Sequence, residues 1–145
     1  MTTHEIEIIL IEDNPDDAAL TMRAFSESSL FKKMVHLKNG QEAIDYLFNG
    51  AEFDGSIFDH HPKVILLDLK MPKVDGTEVL KKIKTNPETK MIPVVILTSS
   101  AEDPDIKKCY ELGANSYIVK PVDFETFSKT IINIAMYWLV INQTN

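Results

Sequence analysis

The chain has 145 residues, enough for one domain with its own core and too few for a second full domain. Apolar residues make up 44% and charged ones 26%, which excludes wholesale disorder and a membrane-embedded chain. Fifteen basic residues against 22 acidic ones leave a formal net charge of −7, so the field of the whole chain repels nucleic acid and anionic lipid, and neither is expected as a partner.

The N-terminal residues Met1-Thr2-Thr3-His4-Glu5 lack the cationic lead and apolar stretch of a signal peptide, and the lone Cys109 cannot form an internal disulfide. Both features predict a cytoplasmic protein. The apolar run from Ile6 to Ile11 predicts a first strand over 5–11. Asn14-Pro15-Asp16-Asp17 then offers a capping side chain, a proline at the first helical position and two carboxylates at the positive end of the helix dipole, opening a helix over 15–28. A strand over 34–37 and a helix over 40–48 follow. The connection from Asn49 to Pro62, with Gly50, Gly55, His60 and His61, reads as a long surface loop. Val64 to Leu67 marks a third strand over 63–68, and Asp75 with Glu78 three residues on has the form of a capping box for a helix over 75–84. Pro93 to Leu97 marks a fourth strand over 92–98, and Asp103-Pro104 repeats the cap-plus-proline start for a helix over 103–112. A weaker run, Ser116 to Val119, gives a fifth strand over 115–119 before a last helix over 123–141.

Near-continuous apolar runs suit strands covered on both faces, and their alternation with helices gives five βα units. Such crossovers are right-handed almost without exception, so the expected architecture is α/β: a doubly wound parallel sheet with helices on both faces, residues 1–145 forming one domain. In the last helix Phe124, Phe127, Ile131, Ile134 and Trp138 form a stripe toward the sheet, while Ile132, Met136, Leu139 and Val140 lie on other faces. Apolar surface left uncovered there predicts a partner or a homodimer through this helix. The stretch from Ile131 to Ile141, interrupted by Asn133, falls short of the about 20 residues a bilayer span needs.

Ligands of open α/β sheets bind beyond the carboxyl ends of the strands, near the point where strand order reverses. At those ends stand Glu12-Asp13, Asp68, Thr98 with the small Ser99, and Lys120-Pro121. Carboxylates brought together repel one another unless one keeps a proton or a cation neutralises them. Oxygen-only ligands suit Mg²⁺, which keeps several waters and commonly shares its site with a phosphate. A carboxylate beside Mg²⁺ with Lys and Thr donors opposite can attack phosphorus and hold the phosphoryl oxygens, which makes Asp68 the candidate nucleophile.

With Glu12-Asp13, Leu67-Asp68-Leu69-Lys70-Met71-Pro72, Asp75-Gly76, Thr98-Ser99 and Tyr117-Ile118-Val119-Lys120-Pro121 in this order, the chain resembles the receiver domains of bacterial two-component response regulators over nearly its whole length. Its long loop and last helix also resemble those of the single-domain regulators that serve bacterial phytochromes. The resemblance implies a flavodoxin-like receiver fold of five parallel strands in the order 2-1-3-4-5 with five helices. It implies a stand-alone signalling phosphoacceptor, not an enzyme in the ordinary sense, with intrinsic autophosphorylation and autodephosphorylation. Asp68 would take the phosphoryl group from a sensor kinase's phosphohistidine. Asp13, Asp68 and the backbone carbonyl of Lys70 would bind Mg²⁺ directly, with Glu12 acting mainly through metal-bound water. Lys120 and Thr98 would contact the phosphoryl group beside Ser99, and Tyr117 would change burial as Thr98 moves. The Lys120–Pro121 bond is expected to be cis. The Lys70 side chain, two residues beyond Asp68, is placed to overhang the phosphoryl group and alter its lifetime. Output would pass to a downstream protein or phosphotransfer partner.

Other groups read as structural. Asp16 and Asp17 compensate a helix start, and the run from Asp13 to Asp17 lacks the spacing and glycine of a calcium loop. His60-His61 read as solvated loop residues, His4 and His36 carry no distinguishing context, and Cys109 reads as a small semi-buried hydrophobe. A phosphohydrolase of the haloacid dehalogenase type would need a second acid where Lys70 stands. A scaffold that no longer takes phosphate would not need Asp13, Asp68, Thr98 and Lys120 together.

Overall fold

The computed structural model describes residues 8–27, 34–48, 62–71, 74–99, 102–120 and 123–138. The elements run β1 (Ile8–Ile11), α1 (Pro15–Ser26), β2 (Met34–Leu37), α2 (Gly40–Phe48), β3 (Val64–Leu67), α3 (Gly76–Thr85), β4 (Val94–Thr98), α4 (Asp103–Glu111), β5 (Ser116–Val119) and α5 (Phe124–Met136). The five strands form one parallel sheet in the order β2-β1-β3-β4-β5, as the resemblance implied. The chain steps outward from β1 to β2 and returns on the other side of β1 at β3, which opens a crevice between the carboxyl ends of β1 and β3.

Successive strand side chains point to opposite faces, so each apolar strand feeds two cores. Ile9, Ile11, Ile65, Leu67, Val94 and Ile96 pack with residues of α2, α3 and α4, including Leu47, Leu80 and the fully buried Cys109. Ile8, Leu10, Val64, Leu66, Val95 and Leu97 pack on the other face against Ala18, Ala24 and Phe25 of α1 and Phe127 and Ile131 of α5. This two-sided burial is the reason that β1, β3 and β4 read as unbroken apolar runs.

Several boundaries differ from the sequence expectations. Residues 5–7, the loop from Asn49 to His61 with its histidine pair, the Lys120–Pro121 bond with its expected cis geometry, and Leu139 to Ile141 of the last helix lie outside the described residues. β4 starts at Val94 because Pro93 has no N–H and the Ile92 N–H turns back to the Thr89 carbonyl. α1 begins on the expected cap, the Asn14 side chain accepting from the Asp16 and Asp17 N–H groups at 2.9 and 3.0 Å. Asp75 caps α3 as expected, but its carboxylate takes the N–H and hydroxyl of Thr77 at 2.7 and 3.0 Å, so it serves the second helical residue and not Glu78. The cap of α4 shifts. Asp103 is already helical, with Glu102 at the cap position making no side-chain cap bond. Beyond the end of α4 at Glu111 and its cap Leu112 stands Gly113, whose φ of 106° is the left-handed conformation that favours glycine after a helix.

In α5 Phe127 and Ile131 are buried and Ile134 and Trp138 half-buried, as the stripe predicted. Phe124 instead lies under the Arg23 guanidinium of α1, 4.2 Å from ring centroid to cation, because α1 and α5 pack together on this face. Met136 and Tyr137 are exposed. Among the described residues no helix is long and apolar enough to cross a membrane.

Candidate functional site

The carboxyl ends of the strands are tied edge to edge by backbone bonds. The Asp68 N–H donates to the Ile11 carbonyl at 3.0 Å, the Glu12 N–H to the Leu37 carbonyl at 3.1 Å, and the Lys120 N–H to the Thr98 carbonyl at 2.8 Å. Side chains from distant stretches therefore leave the sheet side by side. Carboxylate oxygens of Glu12, Asp13 and Asp68 lie within 4.8 Å of one another. Glu12 and Asp68 are buried and Asp13 is more open, and Thr98 is fully buried at the end of β4.

Lys120 reaches into this cluster from the end of β5. Its Nζ lies 2.6 Å from Glu12 Oε1 and 2.8 Å from Asp17 Oδ2, with only about a tenth of its side chain exposed. Glu12 Oε2 accepts the Asn14 N–H at 3.3 Å. Burial pushes the Glu12 carboxyl up from 4.5 to about 7; the hydrogen bond from Lys120 opposes that shift and the charge of Asp68 adds to it. Burial by itself would lower Lys120, but hydrogen bonds to Asp17 and Glu12 and the charges of Glu12 and Asp68 outweigh it and raise its pKa. A proton in this cluster stays on the lysine, and a second is held readily on Glu12.

The structure thus gathers Glu12, Asp13, Asp68 and Lys120 at one place, with Thr98 beside the lysine's backbone. Ser99 is exposed at the end of β4, and Tyr117 is half-buried against the core that also holds α2, α3 and α4. The Lys70 side chain is exposed, with Nζ 3.6 Å from Asp105 Oδ2 of α4, an ion pair that the overhang expectation did not include.

Two residues assigned no site role by the sequence belong to this neighbourhood. Asp17 does more than compensate a helix start: it holds Lys120. Its signal was legible in outline, since Asp17 precedes Thr21 and Ala24 by four and seven residues and so falls on the inward stripe of α1. His36 Nε2 lies 2.9 Å from the Glu12 carbonyl, to which it donates, beneath the β1–α1 turn. Its partner is a backbone atom, which no pattern of side chains reveals.

Comparison with known proteins agrees with this geometry. The family described as "Response regulator receiver domain" matches residues 8–132. The chain is 41% identical over 137 residues to the probable methanogenesis regulatory protein FilR2 of Methanothrix harundinacea (strain 6Ac), covering 94% of this chain and 86% of that protein. It is 37% identical over 132 residues to the response regulator Rcp1 of Synechocystis sp. (strain ATCC 27184 / PCC 6803 / Kazusa), covering 91% and 88%. The Mn²⁺-bound structure of Rcp1 superposes with a TM-score of 0.85 at 35% identity over 96% of this chain and 99% of that one. The phosphorylated cyanobacterial phytochrome response regulator RcpA does so with a TM-score of 0.85 at 35% identity over 96% and 97%. With a family match spanning most of its length and the acidic cluster and lysine gathered at the carboxyl edge of its sheet, the chain belongs to the response regulator receiver domain family.

Proposed function

We propose that this receiver domain accepts a phosphoryl group from the phosphohistidine of a sensor kinase onto Asp68. The observation that carries the reading is the packing of three carboxylates within 4.8 Å, with Lys120 bound to one of them at 2.6 Å. An all-oxygen set of this kind, with Glu12 pushed by burial toward holding a proton and the charge of Asp68 adding to that push, fits a hard divalent cation such as Mg²⁺. Asp13, Asp68 and the Lys70 carbonyl would hold it, with Glu12 acting through water, and the bound cation supplies positive charge against the phosphoryl oxygens. The relative Rcp1, solved in a Mn²⁺-bound form, supports the choice of a divalent ion.

The Asp68 carboxylate attacks phosphorus in line. An O–P bond forms as the P–N bond to the kinase histidine breaks, and the imidazole leaves with the electron pair. The Lys120 ammonium and the Thr98 hydroxyl hold the equatorial oxygens as charge develops. The acyl phosphate then favours a minor conformation in which Thr98 and Tyr117 move inward, altering the surface of α4, β5 and α5. Solved phytochrome regulators of the same fold suggest a phytochrome-like kinase, and the exposed Met136 and Tyr137 at the end of α5 suggest the surface offered to a downstream partner or a second copy.

Incubation with Mg²⁺ and acetyl phosphate, followed by intact-mass spectrometry, tests the proposal. One phosphoryl group per chain is expected in the wild type and none in Asp68→Asn. An unlabelled wild type, or multiple-turnover release of phosphate from a stable phosphate ester, would overturn it.

A further inference from the structure

Lys120 has two carboxylate partners, and they are not equivalent. Glu12 is buried and belongs to the acidic cluster. Asp17 lies outside that cluster, in the first turn of α1, with its carboxylate partly open to solvent. Its backbone is fixed from both sides: its N–H is bonded to the Asn14 side chain at 3.0 Å, and its carbonyl accepts the hydroxyl of the fully buried Thr21 at 2.9 Å. A flexible four-carbon stem would otherwise leave the lysine ammonium free to choose among several anions.

We infer that Asp17 is a positioning residue for phosphoryl transfer, holding the Lys120 ammonium so that its remaining N–H faces the phosphoryl group on Asp68. An ammonium has three donors. With Glu12 and Asp17 each taking one, at 2.6 and 2.8 Å, the direction of the third is set by the other two. The Asp68 carboxylate lies within 4.8 Å of the Glu12 carboxylate that Lys120 touches, so a second anion stands near the third donor. The inference rests on the phosphoacceptor reading of Asp68.

The test compares wild type with Asp17→Asn, which keeps the side-chain shape and removes the charge, and with Asp17→Ala. Both are assayed for the rate of labelling by Mg²⁺ and acetyl phosphate and for the affinity of Mg²⁺ with beryllofluoride. Loss of one charge-assisted hydrogen bond predicts labelling slower by about tenfold and a comparable loss of beryllofluoride affinity in both variants. The same substitutions are then made in a Lys120→Met background, where they should have no further effect on beryllofluoride affinity, because the group they position is gone. A merely structural role would weaken binding equally in both backgrounds, and that result overturns the inference. Wild-type rates in Asp17→Asn also overturn it while leaving the phosphoacceptor reading intact. A wild type that neither labels nor binds beryllofluoride takes down both.

Discussion

Glu12 meets two opposed demands at a single carboxylate. Burial favours its neutral form, while Lys120 at 2.6 Å favours the charged one, and the balance lies at about 7. The folded chain therefore binds this proton more tightly than the unfolded chain does. Its contribution to stability is complete below the ordinary value of 4.5 and is lost as pH rises from 4.5 through about 7. In metal-free buffer the stability of the wild type relative to Glu12→Gln is expected to fall between pH 5 and pH 8, as chemical denaturation across that range would measure. Added Mg²⁺ should stabilise the wild type more at pH 8 than at pH 5, because a proton on Glu12 removes a negative charge that would help hold the cation. Burial raises Cys109 as well, but among the described residues no ion pair opposes it. Its thiol is fully buried and pushed up to about 11, chiefly by burial, so it is a packing residue, as its lone occurrence on a helix suggested.

At the scale of elements, the start of α3 is packed against the Asp68–Leu69 backbone. A Cβ added at Gly76 would stand 2.3 Å from the Asp68 carbonyl oxygen and 2.6 Å from Leu69 Cα, both backbone atoms with nowhere to move. The Gly76 N–H also donates to the Leu69 carbonyl at 3.0 Å, which holds the start of the helix against the loop that carries Asp68. Gly76→Ala should cost roughly 1–3 kcal/mol from overpacking. It should also slow labelling by acetyl phosphate, because the backbone that must yield is that of Asp68. Denaturant melts and labelling rates measured on the same sample check both parts, and a variant with unchanged labelling would show that the loop absorbs the strain elsewhere. The Asp75-Gly76 pair was legible as a helix start. The reason for the glycine was not, since it lies in a close approach between two elements.

For the whole molecule, the two edges of the sheet have different work. Opposite the acidic cluster, Lys84 Nζ at the end of α3 donates to the Lys90 and Ile92 carbonyls at 3.1 and 2.8 Å and to Asn115 Oδ1 at 3.1 Å. Asn115 Oδ1 also accepts the Val94 N–H at 2.9 Å, so one ammonium ties α3 to the starts of β4 and β5. Lys84→Met keeps the apolar stem and removes the donors. It is expected to lower stability by about 1–2 kcal/mol, given the partly exposed bonds lost. Labelling by acetyl phosphate should be unchanged, since the site lies beyond the other ends of the strands. Thermal melts and labelling rates run in parallel measure the separation.

The sequence by itself determined the alternation of strands and helices, because burial on both faces forces unbroken apolar runs and helix starts demand particular caps. It also determined which residues stand at the strand ends, because Glu12, Asp13, Asp68, Thr98 and Lys120 each follow directly from the end of a run or close it. The boundaries were less legible: α3 begins one residue later than expected, after its Asp75 cap, and the missing N–H of Pro93 delays the start of β4 by two, while α4 starts at Asp103 as expected but is capped by Glu102. Only the tertiary structure decided the partners. The hold of Asp17 on Lys120, the bond from His36 to the Glu12 carbonyl and the pairing of Lys70 with Asp105 join residues far apart in the chain. An ammonium or an imidazole bonds to whatever acceptor folding brings within reach, and that distance is set by how α1, α4 and the sheet pack, not by any local spacing.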